Sequence, residues 1–254
     1  MKKIDPAHLV PMDMFEVTGW LRIDLAYAGP DSFCGPIYRP GARLWLHEDL
    51  AAVTLLAARN LWEKREWRLV VYDGLRTVTA QEAMLETPVV KANPHWLTGE
   101  GSVLSTPGRG GHPRGMAVDV ALEDRGCCLL DMGTAFDEFP QGGSGPDTNR
   151  AHRDYAKLSD EVAGNRRVLQ EALTGAARAL DMYLLPLPVE WWDFRFYPDI
   201  INSWAPLDDR DLPPQMRMTK RLMADAAAPA DFPPAHFERM KDRLLRQVRA
   251  AYTG

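Results

Sequence analysis

The sequence predicts an α+β fold with a helical extension at its C-terminus, on three observations. Arg68–Tyr72 and Met116–Leu122 are apolar, partly β-branched runs of strand length. Glu48–Trp62 carries Leu50, Val53, Ala57 and Leu61 at the three-to-four spacing of a helix with one buried face. After about Asp208 the strand-like runs stop and amphipathic helical segments take over.

Taken in order, the first forty residues are rich in Pro, Gly and Asp, with one alternating patch, Trp20–Tyr27, that predicts a strand. The charged end of the Glu48 helix leads into the Arg68 strand, which stops at Asp73-Gly74. Arg76 therefore lies at a strand-to-helix junction, before a helix over Thr79–Leu85. Pro88–Gly111 contains two prolines beyond the first and five glycines, so it reads as a long loop. In the strand that follows, Met116, Val118 and Val120 point one way while Ala117, Asp119 and Ala121 point the other. Asp119 thus shares its face with two small residues, which leaves room there for an ion or a ligand. A second loop runs from Asp131 through Asp147, and a helix is expected from about Arg150 to Leu180. Val189–Tyr197 is aromatic and extended. Two helices are expected at the end, near Gln215–Ala227 and Pro234–Tyr252, the latter with Phe237, Met240, Leu244, Val248 and Ala251 on one stripe. The boundary falls near Ser203–Pro213, dividing the chain into a first domain, 1–205, and an extension, 206–254.

Composition narrows the function. The 254 residues suffice for a full core, and 46% hydrophobic with 26% charged residues is ordinary for a globular protein. A net charge of −5 supplies no field for polyanions, so nucleic acid is not expected as a partner. No run of about 18 apolar residues exists, and Asp5, Pro6 and His8 interrupt the basic N-terminus, so neither a membrane span nor a signal peptide is expected. Cys34, Cys127 and Cys128 form an odd set with one adjacent pair, which suits a reduced, cytoplasmic protein.

Two stretches carry chemistry. Gly110-Gly-His112-Pro-Arg-Gly-Met-Ala-Val-Asp119 offers an imidazole and a carboxylate, and Glu190-Trp-Trp-Asp193 offers two more carboxylates. A hydrolytic metal site takes three such ligands and leaves a position open. A carboxylate inside an apolar strand needs a partner or a metal to offset its desolvation. A glutamate beside such a site can take a proton from water and pass it to a leaving amine. Positions three apart on a strand face opposite ways, so Glu190 and Asp193 can co-operate only across a bend. Arg76 would offer fixed positive charge to an oxyanion. Plainer readings stand beside these: His112 as a loop cap, Glu190 and Asp193 as solvated acids around a tryptophan pair, and Arg76 in a surface salt bridge.

The ordered set Asp-Gly-Leu-Arg76, Gly-His112-Pro-Arg-Gly-Met-Ala-Val-Asp119, Met132-Gly-Thr-Ala-Phe-Asp137 and Glu190-Trp-Trp-Asp-Phe resembles the zinc D-alanyl-D-alanine dipeptidases, over roughly residues 17–197. Asp24–Tyr27, Phe33–Gly35 and Leu46–Asp49 are similar as well. The resemblance implies a central, mainly antiparallel sheet flanked by helices. It implies zinc on His112, Asp119 and the residue at 193, Glu190 as catalytic base and Arg76 as oxyanion stabiliser. It also implies that Tyr27 and Asp137 hold the substrate ammonium. The expected activity is hydrolysis of D-Ala-D-Ala or a similar small D-amino-acid dipeptide. A peptidoglycan D,D-carboxypeptidase or endopeptidase, and a non-catalytic binding protein, are the alternatives.

This chain departs from the family's Glu-x-x-His pattern by carrying Asp193 in place of the third-ligand histidine. Gly110 and Gly111 stand where the family commonly carries serines. Aspartate is a legitimate but shorter zinc ligand, and a second carboxylate shifts preference toward harder ions such as Mn or Mg. Zinc, manganese or iron, or loss of the metal altogether, are the outcomes this allows. The extension is expected to pack across the first domain or to form a homodimer contact, and not to lie on a membrane.

Overall fold

The computed structural model describes residues 1–98, 102–140, 143–220 and 229–252. Its strands are β1 (Leu9–Pro11), β2 (Leu21–Ile23), β3 (Trp45–His47), β4 (Arg68–Asp73), β5 (Ala117–Glu123), β6 (Leu184–Pro186) and β7 (Asp193–Phe196). The helices are α1 (Glu48–Arg65), α2 (Val78–Leu85), α3 (Pro88–Ala92), α4 (Asp160–Ala179), α5 (Pro198–Ile201) and α6 (Pro234–Ala251). Short 3-10 turns join them, among them Ala26–Ala28 and His112–Arg114.

β2-β4-β5-β7-β6 form one sheet, parallel only between β2 and β4, and β1 pairs antiparallel with β3 in a small second sheet. The fold is therefore α+β with a mainly antiparallel sheet, as expected. The Trp20–Tyr27 patch is shorter than predicted: β2 ends at Ile23, and Tyr27 sits in a 3-10 turn.

α1 differs from its prediction in how much of it is buried. Ten of its residues are buried, including Ala51, Ala52, Leu55 and Leu56 off the expected stripe. The reason is tertiary: α1 packs against β1, β3, β4, α4 and α6 at once, so almost no face is left to water. Its one buried hydroxyl, on Thr54, donates to the Leu50 carbonyl, which satisfies it inside the helix.

α4 begins ten residues later than expected, at Asp160, because Ser159 caps it by accepting from the Val162 amide. Residues 150–158 form turns instead. The Pro88–Gly111 stretch is not wholly loop, since α3 and a 3-10 turn at Pro94–Trp96 lie within it.

In α6 the predicted stripe is buried at Phe237, Met240, Leu244 and Val248, and the helix packs on α1 and β1. Phe237 lies 5.6 Å from Trp45, ring centre to ring centre. Of the helix expected at Gln215–Ala227, only the start is described, as a 3-10 turn at Pro214–Met216 and irregular chain to Lys220; residues 221–228 lie outside the described residues. No helix among the described residues is long and apolar enough to cross a membrane.

Candidate active site

Three aspartates stand in a row across the middle of the sheet. Asp73 on β4 opposes Asp119 on β5, and Asp119 opposes Asp193 on β7. Val71 pairs with Val120, so without the irregularity between Val71 and Asp73 it is Tyr72 that would face Asp119. The bulge turns Asp73 onto the same spot. Like charges directly opposed on neighbouring strands are destabilising, so this row needs counter-charge.

Three cationic groups supply part of it. Arg76 reaches back from the turn after β4, with Nη2 at 2.7 Å from Asp73 Oδ2 and 3.5 Å from Asp119 Oδ2. Arg195 lies two residues beyond Asp193, hence on the same face of β7, and grips it with two nitrogens: Nε donates to Oδ1 at 2.7 Å and Nη2 to Oδ2. His112 enters from the 3-10 turn before β5. Gly111 starts that turn, and a Cβ there would lie 2.8 Å from Ala117 Cβ and Met116 O, so only glycine fits.

The orientation of His112 follows from its neighbours. Nδ1 is 2.8 Å from the Gly74 carbonyl oxygen, which can only accept, so Nδ1 carries a proton. Nε2 then faces Asp193 Oδ2 at 3.3 Å and Asp119 Oδ2 at 3.5 Å. Burial opposes a charge on this ring, but Asp119 and the hydrogen bond to Asp193 outweigh it and push the pKa up to about 10. The point between Nε2 and the two carboxylates thus calls for positive charge. Asp119 Oδ1 is buried with no hydrogen-bond partner among the described residues, a costly state that a cation would relieve.

Glu190 occupies the turn between β6 and β7, and that turn supplies the bend its spacing from Asp193 required. Arg153 ties the turn down: Nε donates to Leu187 O at 2.9 Å and Nη2 to Asp193 O at 2.8 Å, with its guanidinium 4.4 Å from the Phe194 ring centre. Asn149 Nδ2 holds Val189 O at 2.7 Å. The Glu190 carboxyl has no hydrogen bond among the described residues. Burial, then the charges of Asp193 and Asp119, raise its pKa well above the ordinary value. Asp193 goes the other way: burial would raise it, but Arg195 and His112 hold it well below the usual carboxylate range.

Tyr27 and Asp137 meet on the Arg76 side. The Tyr27 hydroxyl donates to Asp137 Oδ2 at 2.8 Å, and Arg76 lies over the Tyr27 ring at 4.7 Å. Asp137 sits at φ +58, in the left-handed region that non-glycine residues rarely adopt. Phe136 beside it, stacked 4.6 Å from Tyr72 and packed 5.4 Å from Trp192, holds the loop in that conformation. Burial, then Asp119, pushes the Asp137 pKa up to about 8.

All seven predicted residues, Tyr27, Arg76, His112, Asp119, Asp137, Glu190 and Asp193, line a single pocket. Sequence reasoning missed two others. Asp73 accepts from Tyr38 and Arg76, and its signal was the Asp-Gly-Leu-Arg run itself. Arg195 also lines the pocket, and its signal was the two-residue spacing from Asp193 on a strand.

Two donor sets meet at His112, and only the first is compact among the described residues. Ligand atoms of Asp73, His112 and Asp119 lie within 4.8 Å of one another. His112 Nε2 with Asp119 and Asp193 is the other set. The two share His112 and Asp119 and differ in the second carboxylate, Asp73 beside Nδ1 or Asp193 beside Nε2. Asp73 lies 3.5 Å from Nδ1, which already carries a proton toward Gly74, and its oxygens serve Tyr38 and Arg76. Nε2 faces Asp119, whose Oδ1 is free of hydrogen bonds among the described residues, and Asp193, whose oxygens are engaged by Arg195. The residues present therefore fit a divalent ion, with two carboxylates and one imidazole as donors.

The chain is 29% identical over 175 residues to the D-alanyl-D-alanine dipeptidase of Escherichia coli (strain K12), covering 68% of this chain and 78% of that protein. A family model described as D-ala-D-ala dipeptidase matches residues 7–206, a span that holds every residue of the pocket. The chain belongs to the D-ala-D-ala dipeptidase family of peptidases.

Proposed function

We propose that the chain is a metal-dependent dipeptidase acting on D-Ala-D-Ala or a similar small D-amino-acid dipeptide. The observation that carries this is the convergence on one pocket, beside His112 Nε2, of a buried Glu190 and an Asp119 oxygen that both lack hydrogen bonds among the described residues. His112, Asp119 and Asp193 would hold the ion, zinc in the first instance, with manganese or iron as alternatives. When bound, such an ion supplies Lewis acidity, polarising a carbonyl and making water a stronger acid.

The remaining work falls to the chain's own side chains. Tyr27 and Asp137 take the substrate ammonium, Asp137 giving up its proton to do so. Glu190, a stronger base than an ordinary carboxylate because of its burial, accepts the proton of the attacking water and delivers it to the departing amine. Arg76 keeps its charge through the neighbouring Asp73 and Asp119 despite burial, and stabilises the oxyanion that develops as the amide carbonyl is attacked.

A second reading rests on Asp193, both of whose oxygens are engaged by Arg195. In that reading the chain binds a small dipeptide without turning it over. Incubation with D-Ala-D-Ala after reconstitution with Zn, Mn, Co or Fe separates the two. Release of D-Ala with at least one metal supports the dipeptidase. Binding without release with all four supports the second reading.

A further inference from the structure

Among the described residues, none after α5 lines the pocket, yet the segment that follows α5 grips two of the turns that do. Leu207 stands between them. Its amide donates to Pro113 O at 2.7 Å, beside His112, and its carbonyl accepts from the Val78 amide at 2.9 Å, two residues after Arg76. Asp209 completes the grip. It is fully buried, and Thr77, the residue after Arg76, donates its hydroxyl to Oδ1 at 2.8 Å. The same hydroxyl caps α2 by accepting from the Ala80 amide at 3.3 Å, so one atom joins the carboxylate to the first turn of that helix. Met218 N on Oδ1 at 3.0 Å, with Thr219 N and Oγ1 on Oδ2 at 2.9 and 2.6 Å, brings the donors to four, the full acceptor capacity of a carboxylate. From Met218 the tie continues to the other side of Arg76. The Met218 carbonyl accepts from the Arg39 amide at 2.7 Å, and Tyr38, next to Arg39, donates its hydroxyl to Asp73 Oδ1 at 2.7 Å. Asp73 is the carboxylate on which Arg76 rests. Arg76 is therefore held both from the residue that follows it and through the anion that faces it, and both ties run back to Asp209.

We infer that Asp209 is a positioning residue, which from outside the pocket holds the Arg76 guanidinium against Asp73 and Asp119. This rests on the dipeptidase reading only for what Arg76 does with its charge. A long side chain leaving a turn needs such a brace, because a displacement of about 1 Å in a group that meets the reacting atoms can cost about 100-fold in rate.

The test uses two ways of cutting the tie. Asp209→Asn turns an amide donor toward donors and so breaks two of the four bonds. Thr77→Val removes the hydroxyl that joins Asp209 to the Arg76 turn, and Thr77→Ser keeps it. On the zinc-loaded full chain, exchange of the Arg76 Nε–H with water is followed by NMR, the resonance being assigned by its loss in Arg76→Lys. The kcat and KM for D-Ala release are taken with the metal that gives the fastest turnover. In the parent this N–H donates to Asp73 Oδ2 at 2.8 Å from a side chain only 11% exposed, so its exchange is slow. Asp209→Asn and Thr77→Val should each speed the exchange about 10-fold and lower kcat about 10- to 100-fold. KM should stay within about twofold, because Arg76 acts on charge that develops only as the amide is attacked. Thr77→Ser should bring both readouts within about twofold of the parent. Leu173→Ala, which opens a cavity on the buried face of α4, controls for lost stability alone and should leave exchange and kcat at the parent values. A merely structural role makes Asp209→Asn behave like Leu173→Ala. Exchange at the parent rate in Asp209→Asn or in Thr77→Val overturns the inference, and so does an unchanged kcat in a chain that is active. If Asp209→Asn does not fold, Thr77→Val against Thr77→Ser decides. A parent that releases no D-Ala with Zn, Mn, Co or Fe sinks the hydrolytic reading, and the exchange rates then decide this inference by themselves.

Discussion

Replacing Asp137 by Asn removes a carboxyl whose pKa is pushed up from the ordinary 3.8 to about 8, by burial first and then by the charge of Asp119. Between those values the native chain holds a proton that the unfolded chain has lost. The stability contributed by that proton is whole below pH 3.8 and disappears as the pH rises through about 8. One proton of difference corresponds to at most about 1.4 kcal/mol per pH unit. Asp137 is half-buried, so part of this is screened, and about 1 kcal/mol between pH 6 and pH 7 is expected. Asn has no proton to lose. The stability of Asp137→Asn relative to the parent should therefore rise with pH by that amount, measured by urea unfolding of both chains at pH 5, 6 and 7. A difference that stays flat across this range would refute the protonated Asp137, and with it the idea that a ligand ammonium displaces a proton there.

Other perturbations address other parts of the account. Glu190→Gln should lower kcat by about 100- to 10,000-fold while the zinc content stays that of the parent, because it removes the base and leaves the donors in place. Asp193→His in the metal-free chain should cost about 3 kcal/mol in urea unfolding, since Arg195 loses its buried partner, and added zinc should recover more stability than it does in the parent. Phe237→Ala should destabilise the whole chain by about 3 kcal/mol if the packing of α6 on Trp45 and α1 belongs to the core; a change below about 0.5 kcal/mol would make α6 an independent appendage.

What the sequence made legible follows from how each feature is encoded. Asp119 was readable because strand alternation is local: a charged residue between Val118 and Val120 has only one face to take. The same rule ties Arg195 to Asp193, but an arginine after a strand aspartate is ordinary on a solvated sheet, and only the burial of Asp193 beside a half-buried Arg195 gives the pair its meaning. Asp73 was hidden for a different reason. Its approach to Asp119 depends on a bulge at Tyr72, a register shift between strands almost fifty residues apart that no local pattern records. Likewise the helical stripe of α1 described one contact surface, while α4 and α6, distant in sequence, bury the others. The late start of α4 was available in Ser159 followed by Asp160 and Glu161, a capping signal that apolar periodicity does not register.

The central claim is that Nε2 of His112, Asp119 and Asp193 together form a cation site at the floor of a peptidase pocket. Anomalous diffraction at the zinc edge, on crystals grown with one equivalent of zinc, tests it most directly. The account predicts one strong peak within bonding distance, about 2.0–2.2 Å, of His112 Nε2 and of oxygens from Asp119 and Asp193. A peak on the Asp73 side, against Nδ1, or no peak at all in a folded chain, would contradict it.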